Sequence, residues 1–400
     1  MGTHEGKGGR MRPQEAVITD ARLRRRAQEI LDRHWDEERG YSYPHRGTYP
    51  HQWLWDSCFT AIVRAHLGDG RAVSELRTAL SGQLADGFLP HMRYAGETIA
   101  RGPLADVSSF TQPPVYAHAA RVLTDRGFDV GAAALARIDR ALHYLWSIRR
   151  RDQLIVIVHT WESGADAAPR WDAWTGRDWT RRPWTREEWD TFELGLVDAA
   201  VFDQAGSAVA SRAFEVAPAA FNALAAHAAG ELAALTGDQG WRERGDDLAT
   251  ELDARLWNER EGLWSDHPFV GGGPSVHVPT LDGVLGALVT PDQAKAERAL
   301  GQLVDPARFG AEFGLAYVAR EHPLYQPRLY WRGSAWMQLN YLVTLAAARW
   351  GRDDLVAEIG AMSRRAAEAS GFAEYWHPET GEGYGAIPLT WSTLVTALPS

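Results

Sequence analysis

The sequence predicts an all-α protein whose helices pair into an (α/α)6 barrel, a toroid of six helical hairpins. Apolar residues recur at helical spacing in about twelve segments, whereas the period-two alternation expected of strands is almost absent. The joints between these segments alternate in length, with six long and five short joints. This alternation describes six antiparallel pairs and gathers the long joints at one end. An open solenoid of helix pairs would also be all-α, but no consensus repeats at a fixed period.

Each predicted helix begins and ends where the helical spacing of apolar residues begins and ends. In chain order the helices cover 14–34, 55–67, 71–84, 112–125, 131–150, 218–236, 239–257, 280–289, 292–304, 333–350, 353–370 and 389–399. The short joints combine Asp with Gly or Pro, which is typical of tight turns, at 68–70, 125–127, 236–238, 290–292 and 351–353. The long joints are rich in aromatic residues and cover 35–54, 85–111, 151–217, 258–279, 305–332 and 371–388. A crater lined by the long joints is the predicted site of binding and catalysis.

The chain is predicted to form one domain over residues 14–400. Its 400 residues are 45% hydrophobic, enough for a large core, and no linker or low-complexity tract divides them. The polar, Gly-rich start, MGTHEGKGGRMR, predicts a disordered segment over residues 1–13.

Composition argues against several classes of function. A net charge of -10 leaves no obvious basic surface, so neither nucleic acid nor a membrane is an expected partner. No run of about 18 apolar residues and no signal-peptide core is present, which makes the cytoplasm the expected location. Cys58 is the single cysteine and is expected to be a buried thiol. The 14 histidines are scattered without metal-ligand spacing, so no metal or other cofactor is expected, and the oligomeric state stays open.

Aromatic residues point to a carbohydrate ligand. The chain has 18 Trp, many of them in polar stretches that contain Gly and Pro. Some of these rings will fill the core. Flat rings in loops also suit stacking against the C–H faces of sugars. We therefore expect a small carbohydrate substrate.

Two of the long joints carry carboxylates among aromatic residues. Inverting hydrolysis of a glycosidic bond needs one protonated carboxyl and one carboxylate that activates water. The segments are WESGADAAPRWD at 161–172 and FAEYWHPETGEG at 372–383. From the residues alone, Asp166 could instead cap a turn before Pro169, and Glu374 could be a surface charge at a helix end. The other carboxylates in these segments are Glu162, Asp172, Glu379 and Glu382.

The chain resembles glycoside hydrolase family 63, including its compact mannosylglycerate and glucosylglycerate hydrolases, and more distantly the trehalases of family 37. The resemblance covers nearly the whole chain. It rests on the two carboxylate segments and on HQWLWDSCF at 51–59, TQPP at 111–114 and YWRGSAW at 330–336. These pieces follow one another in successive long joints.

The resemblance assigns roles to the two carboxylates. It implies that Asp166, two residues after the glycine of a Glu-Ser-Gly-x-Asp pattern, is the general acid. It implies that Glu374, in a Phe-x-Glu-Tyr pattern, is the general base. Ala167 and Ala168 stand where the family pattern has Asn and Ser, and Trp376-His377 replaces Tyr-Asp. Sugar specificity is therefore open.

The resemblance also implies a substrate-binding set. Asp56 would hold hydroxyls of the nonreducing sugar together with Gln112, although a negative charge there would also stabilise a helix start. The tryptophans could instead pack in the core, and Arg170 could organise the acid loop. The full expected set is Trp53, Trp55, Asp56, Gln112, Trp161, Gly164, Arg170, Trp331, Arg332, Gly333, Trp336 and Tyr375.

The expected function is that of an inverting, exo-acting α-glucosidase or α-mannosidase acting on a small α-glycoside. Glucosylglycerate and mannosylglycerate are candidate substrates, because arginines after the acid could anchor a carboxylate, namely Arg177, Arg181, Arg182 and Arg186. A trehalase-like or other α-glucoside hydrolase is an alternative. A sugar epimerase would need a histidine pair as acid and base. A sugar-binding barrel without catalysis is the remaining alternative.

Overall fold

The computed structural model describes residues 13–96, 102–272 and 277–399. The segment predicted to be disordered, residues 1–13, lies outside these ranges except for Pro13, the first residue of a helix. No helix in the described ranges is both long and apolar enough to cross a membrane.

The described ranges contain twelve α-helices and six 3-10 helices. The α-helices are α1 (Pro13–His34), α2 (Leu54–Leu67), α3 (Arg71–Ser81), α4 (Tyr116–Asp125), α5 (Ala132–Ile148), α6 (Asp172–Thr175), α7 (Arg186–Ala199), α8 (Ala219–Thr236), α9 (Gln239–Arg255), α10 (Gln293–Leu300), α11 (Met337–Arg349) and α12 (Asp353–Ser370). The 3-10 helices are Thr160–Ser163, Pro169–Trp171, Leu281–Leu288, Gly301–Leu303, Tyr330–Arg332 and Thr390–Thr396.

All twelve predicted helical segments contain a helix. Ten of them contain an α-helix, and the segments predicted at 280–289 and 389–399 form the 3-10 helices Leu281–Leu288 and Thr390–Thr396. Helix α7 was not predicted, because it buries a charged residue, Glu193, between Trp189 and Leu196 and so lacks a continuous apolar stripe. The start of α7 could be recognised from the sequence Thr185-x-x-Glu188, which is typical of a capping box. In the structure the Thr185 hydroxyl accepts a hydrogen bond from the backbone N–H of Glu188.

The near absence of strand patterning does not mean an absence of strands. Sixteen strands of two to four residues pair antiparallel in the described ranges, mostly in the long joints, and they are too short to show alternation. The pairs are β1 (Trp35–Asp36) with β2 (Tyr41–Ser42), β3 (Gln52–Trp53) with β4 (Met92–Arg93), β5 (Arg150–Arg151) with β6 (Leu154–Ile155), β7 (Ala200–Phe202) with β8 (Ala208–Ser211), β9 (Glu215–Ala217) with β12 (His267–Val270), β10 (Trp257–Asn258) with β11 (Leu263–Trp264), β13 (Gly310–Ala311) with β14 (Gly314–Leu315), and β15 (Tyr375–Trp376) with β16 (Gly383–Tyr384).

The helices form an all-α toroid with an inner and an outer layer. The inner segments touch in the order α2, α4, α8, Leu281–Leu288, α11 and Thr390–Thr396, and the last returns to α2. Outside them, α3 packs on α2, α9 on α8, α10 on Leu281–Leu288, α12 on α11, and α1 on Thr390–Thr396. The core lies between these two layers.

Helix α8 shows why the sequence places a helix in the inner layer. It is rich in Ala and Leu on nearly every face, and twelve of its residues are buried. A helix that is apolar all round needs partners on all sides, which α4, α9 and Leu281–Leu288 provide. Helix α9 buries only one face. Its Gly245 lets the two helices approach closely, because a Cβ there would lie 2.9 Å from the carbonyl oxygen of Ala226.

Candidate active site

A cavity of about 620 Å³ opens where long joints meet the first residues of inner helices. Eight of the fourteen predicted site residues line it, namely Trp53, Trp55, Asp56, Gln112, Trp161, Gly164, Asp166 and Glu374. A larger cavity of about 980 Å³ lies between residues 255–268 and 308–323 and contains none of the fourteen. The candidate site is therefore identified by the residues that line the cavity, and not by the volume of the cavity.

Asp166 is half-buried on the loop between the turns Thr160–Ser163 and Pro169–Trp171, with 16% of its side chain exposed. Burial raises the pKa of Asp166 above its usual range, against the opposing effects of the Arg186 charge and of backbone N–H donors of Asp166 and Ala167. A carboxyl in this environment keeps its proton to higher pH than one in water. It can therefore serve as a proton donor.

Glu374 is almost fully buried, and both of its carboxylate oxygens accept a hydrogen bond. The Tyr49 hydroxyl donates to Oε1 over 2.7 Å, and the backbone N–H of Ala386 donates to Oε2 over 2.9 Å. Burial, reinforced by the charge of Asp166, raises the pKa of Glu374 to about 7, although the two donors oppose the shift. Near neutral pH this group can accept a proton from water.

The backbone around Glu374 adopts conformations that hold the carboxylate in place. Phe372, two residues before it, has a φ of 63°, a region that L-residues rarely adopt. Gly385 has a φ of 71°, and a Cβ at that position would collide with Glu374 Oε2. The hairpin of β15 and β16 connects the two sides of this loop, and Trp391 Nε1 donates to the Glu374 carbonyl over 3.1 Å.

Gly164 allows the Asp166 loop to lie directly on the ring of Trp55. Its φ is 73°, and a Cβ at this position would lie 2.5 Å from Trp55 Cη2. Any other residue would therefore force the loop away from the start of α2. The glycine therefore allows close contact between the segments 161–172 and 51–59.

Glu162 connects the Asp166 loop to the neighbouring one. Its buried carboxylate forms a two-fold ion pair with Arg149, with distances of 2.6 and 2.8 Å. It also accepts hydrogen bonds from the backbone N–H groups of Thr111 and Val158. The adjacent Gln112 uses its Oε1 to accept a hydrogen bond from the backbone N–H of Trp55. Glu162 is thus a structural anchor and has no access to the cavity.

Asp56 lies in the first turn of α2 and also faces the cavity. Its location is therefore compatible with both roles that the sequence left open, a charge at a helix start and a group that binds sugar hydroxyls. Asp56 is 6% exposed. Burial, together with the nearby charge of Glu374, raises the pKa of Asp56 to about 8. At neutral pH the group is therefore mostly protonated and can both donate and accept hydrogen bonds.

Several residues outside the expected set also line the cavity. Arg186, the first residue of α7, lies 4.0 Å from Asp166 Oδ2 and 3.9 Å from Glu193 Oε2. Glu193 is buried behind Asp166, and burial together with the Asp166 charge raises its pKa to about 8. Tyr330 has a φ of 26° and faces the cavity beside Arg186. The other lining residues are Pro44, Tyr49, His91, Met92, Tyr94, Leu389 and Trp391.

The remaining six predicted site residues do not line the cavity. Trp331 and Trp336 stack on each other with 3.6 Å between ring centroids and are fully buried. Tyr375 stacks on Trp336 at 4.8 Å. Arg332 forms a buried two-fold ion pair with Asp172 at 2.7 and 2.9 Å.

Arg170 and Gly333 also contact other parts of the protein rather than the cavity. Arg170 is buried between Asp266 and Asp282, at 3.1 and 2.8 Å, and lies over the ring of Trp171. These contacts anchor the segment that follows Asp166. A Cβ on Gly333 would lie 3.0 Å from backbone atoms of Gln326, so the glycine permits close backbone packing.

Glu379 and Glu382, the other carboxylates in the Glu374 segment, have partners outside the cavity, and the single thiol is buried. Glu379 pairs with Arg320, and Glu382 accepts a hydrogen bond from the Tyr384 hydroxyl over 2.7 Å. Cys58 is buried, as expected, and burial raises the pKa of its thiol. Asp166 and Glu374 remain as the two carboxyls of these segments that reach the cavity.

Comparison with known proteins places the chain in a glycoside hydrolase family. The family model for the mannosylglycerate hydrolase MGH1-like glycoside hydrolase domain matches residues 49–392. A mannosylglycerate hydrolase from Thermus thermophilus is 32% identical over 92% of this chain and 98% of its own length. A glucosylglycerate hydrolase from Mycolicibacterium hassiacum is 30% identical over 86% and 90% of the two chains.

Solved structures extend the comparison. A GH63 mannosylglycerate hydrolase from Thermus thermophilus in complex with Tris and D-glycerate superposes with a TM-score of 0.79 at 29% identity, covering 94% of this chain and 99% of the other. Neutral trehalase from Saccharomyces cerevisiae reaches a TM-score of 0.58 at 13% identity, covering 90% and 72%, which is a likeness of fold alone.

Proposed function

Because the chain belongs to the mannosylglycerate hydrolase MGH1-like glycoside hydrolase family, we propose that it hydrolyses a small α-glycoside of glycerate with inversion at the anomeric carbon. The observation that carries this proposal is the presence of two carboxyls with raised pKa values, half-buried Asp166 and buried Glu374, in one aromatic cavity. An arginine, Arg186, lies beside the first of them.

In the proposed reaction, Asp166 gives its proton to the glycosidic oxygen while the bond from that oxygen to the anomeric carbon breaks. Glu374 removes a proton from a water molecule whose oxygen forms the new bond to the anomeric carbon from the opposite face. The products are the free sugar and the released glycerate. Asp166 is left as a carboxylate and Glu374 as an acid, and proton exchange with solvent restores both. Room for the water requires about 6.5–9.5 Å between the two carboxyl groups.

Tyr49 positions the base in this mechanism. Its hydroxyl holds Oε1 of Glu374, while the backbone of Ala386 holds Oε2. Each carboxylate oxygen has a second lone pair with which it can accept the proton of water. Two fixed donors therefore orient the carboxylate without blocking it.

Arg186 supports a glycerate leaving group. The acid protonates the leaving oxygen, so the leaving group must lie on the Asp166 side of the cavity, where Arg186 is half-exposed. The other three arginines do not line the cavity. Arg177 and Arg182 pair with Glu188, and Arg181 is 86% exposed. Arg186 donates through Nε to Asp190 Oδ1 over 2.7 Å, which leaves its two terminal nitrogens to bind a carboxylate through two hydrogen bonds.

The nonreducing sugar would occupy the Glu374 side of the cavity. Asp56 and Gln112 provide hydroxyl-binding groups there, and Trp53 and Trp161 are half-buried rings available for stacking. One histidine, His91, is present among the described lining residues. Burial lowers its pKa to about 4, and its Nδ1 lies 3.1 Å from the Phe110 carbonyl oxygen. An epimerase, which needs two histidines, is therefore not favoured.

The proposal extends to architecture. The closed order of six inner segments supports an (α/α)6 barrel, with residues 14–400 as one catalytic domain. A crystal structure that showed a different number of helix pairs would contradict this part of the proposal.

Substrate release assays test the function. Purified protein would be incubated with α-glucosylglycerate, α-mannosylglycerate, trehalose and the methyl α-glycosides of glucose and mannose, with Asp166→Asn as the inactive control. We expect one of the two glycerate glycosides to be hydrolysed with the highest kcat/KM. A preference for trehalose or for the methyl glycosides would contradict the proposed leaving group, and no hydrolysis of any of them would contradict the proposed reaction.

A further inference from the structure

Three side chains that the proposed reaction does not use meet on the inner layer of the toroid, apart from the cavity. They are His118 of α4 and His227 and Glu231 of α8. His118 Nδ1 and His227 Nε2 each lie 3.3 Å from Glu231 Oε1, and the two nitrogens are 3.4 Å apart. The three atoms thus form a nearly equilateral triangle.

The size of this triangle matches one face of a tetrahedral zinc site. Ligand atoms at about 2.05 Å from a tetrahedral zinc ion lie about 3.3 Å from one another. An octahedral ion with bonds of about 2.1 Å would need its ligands closer, at about 3.0 Å. Two imidazoles and one carboxylate are also a ligand set that zinc accepts.

We propose that His118 Nδ1, His227 Nε2 and Glu231 Oε1 bind a zinc ion, with water as the fourth ligand. The site would connect α4 to α8, which are neighbours in the inner layer. Its expected role is to stabilise the toroid, and it does not depend on the proposed glycosidase activity.

Contacts with neighbouring side chains orient two of the three ligands, and helix geometry places the third beside them. His118 Nε2 lies 2.9 Å from the Tyr341 hydroxyl, to which it can donate, leaving the Nδ1 lone pair for a metal. Arg121 lies 3.8 Å from Glu231 Oε2, the oxygen that does not face the histidines. His227 and Glu231 are four residues apart on one helix and therefore share a face.

The cluster lies below the floor of the cavity but remains accessible to solvent. Trp55 at the floor contacts Phe59, Phe59 contacts Tyr341, and Tyr341 contacts His118, with ring centroids 5.6, 6.4 and 5.9 Å apart. The side chains of His118, His227 and Glu231 are 8%, 21% and 16% exposed. The three side chains are therefore partly open to solvent, from which an ion and a water ligand can reach them.

Metal titration tests the proposal. Untagged, full-length protein would be stripped with a chelator and titrated with Zn²⁺ by calorimetry, and with Co²⁺ while the absorption of tetrahedral cobalt is recorded. The variants are His227→Gln and Glu231→Gln, each checked for folding by circular dichroism. The matched control is His143→Gln, which removes an exposed histidine 3.7 Å from Asp139, also four residues apart on a helix.

We expect one zinc ion per chain, at least tenfold weaker binding in both ligand variants, and unchanged binding in the control. At a zinc concentration about 100 times Kd, the Tm of the wild type and the control should rise by about 3 °C. If one variant fails to fold, the other decides the result. Binding well below one ion per chain, or equal binding by the folded variants, would overturn the proposal. Hydrolysis of the glycoside plays no part in this readout.

Discussion

Replacing Tyr49 by Phe removes the hydroxyl that donates a hydrogen bond to Glu374 Oε1 over 2.7 Å. Phe keeps the ring and its packing against Trp53. The hydrogen bond stabilises the charged form of Glu374, so its loss disfavours the carboxylate and must raise the pKa of Glu374 from about 7. The other donor, the backbone N–H of Ala386, remains.

The size of the shift follows from the strength of the bond. A hydrogen bond to a charged group contributes about 1.5–3 kcal/mol, and one pKa unit corresponds to about 1.4 kcal/mol. Water from the cavity can replace part of the lost bond, so the lower end of this range applies. The pKa of Glu374 should therefore rise by about one unit, from about 7 to about 8.

The pH profile of kcat/KM measures this shift, because it reports groups of the free enzyme. Since the base must be deprotonated, activity falls as the pH drops below the pKa of Glu374, and this acidic limb should move upward by about one pH unit in Tyr49→Phe. The matched control is Tyr384→Phe, which removes a 2.7 Å hydrogen bond from a tyrosine to Glu382 outside the cavity. An acidic limb that stays in place or moves downward in Tyr49→Phe would refute the reasoning, as would an equal shift in the control.

The remaining predictions concern the acid, its loop and the leaving group. Asp166→Asn should lower turnover of a glycerate glycoside by about 10²–10⁴, with a smaller loss on aryl glycosides that have acidic leaving groups; near-normal turnover of the glycerate glycoside would contradict the assignment. Gly164→Ala should lower the free energy of unfolding by about 1–3 kcal/mol in a denaturant titration, because the residue has a φ of 73° and its Cβ would clash with Trp55; unchanged stability would contradict the close packing. Arg186→Ala should raise KM for glycerate glycosides at least tenfold and leave KM for neutral methyl glycosides nearly unchanged; an equal effect on both would argue against carboxylate binding.

The helical scaffold could be predicted because its helices follow the apolar period. Helix α8 is the clearest case, since an Ala-rich run that is apolar on every face has to be buried. Helix α7 was not predicted because Glu193 occupies one of its buried positions. The same glutamate lies near Arg186, as does Asp166, the carboxyl expected to act as the acid.

Eight of the fourteen predicted site residues line the cavity, and the tryptophans show why a sequence pattern does not separate lining residues from the others. Trp331 and Trp336 lie where a long joint meets an inner helix, as Trp53 and Trp55 do, yet they stack on each other in the core. Local sequence patterns do not show which side of a loop faces the cavity. They also do not show contacts between residues that are far apart in the chain. Tyr49 bonds to Glu374 over a separation of 325 residues.

The stereochemistry of the first product tests the central claim most directly. If Asp166 and Glu374 act as acid and base, water attacks the anomeric carbon from the face opposite to the leaving group. Proton NMR of the reaction with an α-linked glycerate glycoside, recorded before mutarotation equilibrates the sugar, should show the β-anomer first. Initial release of the α-anomer would contradict the inverting mechanism, even if both carboxyls proved essential for activity.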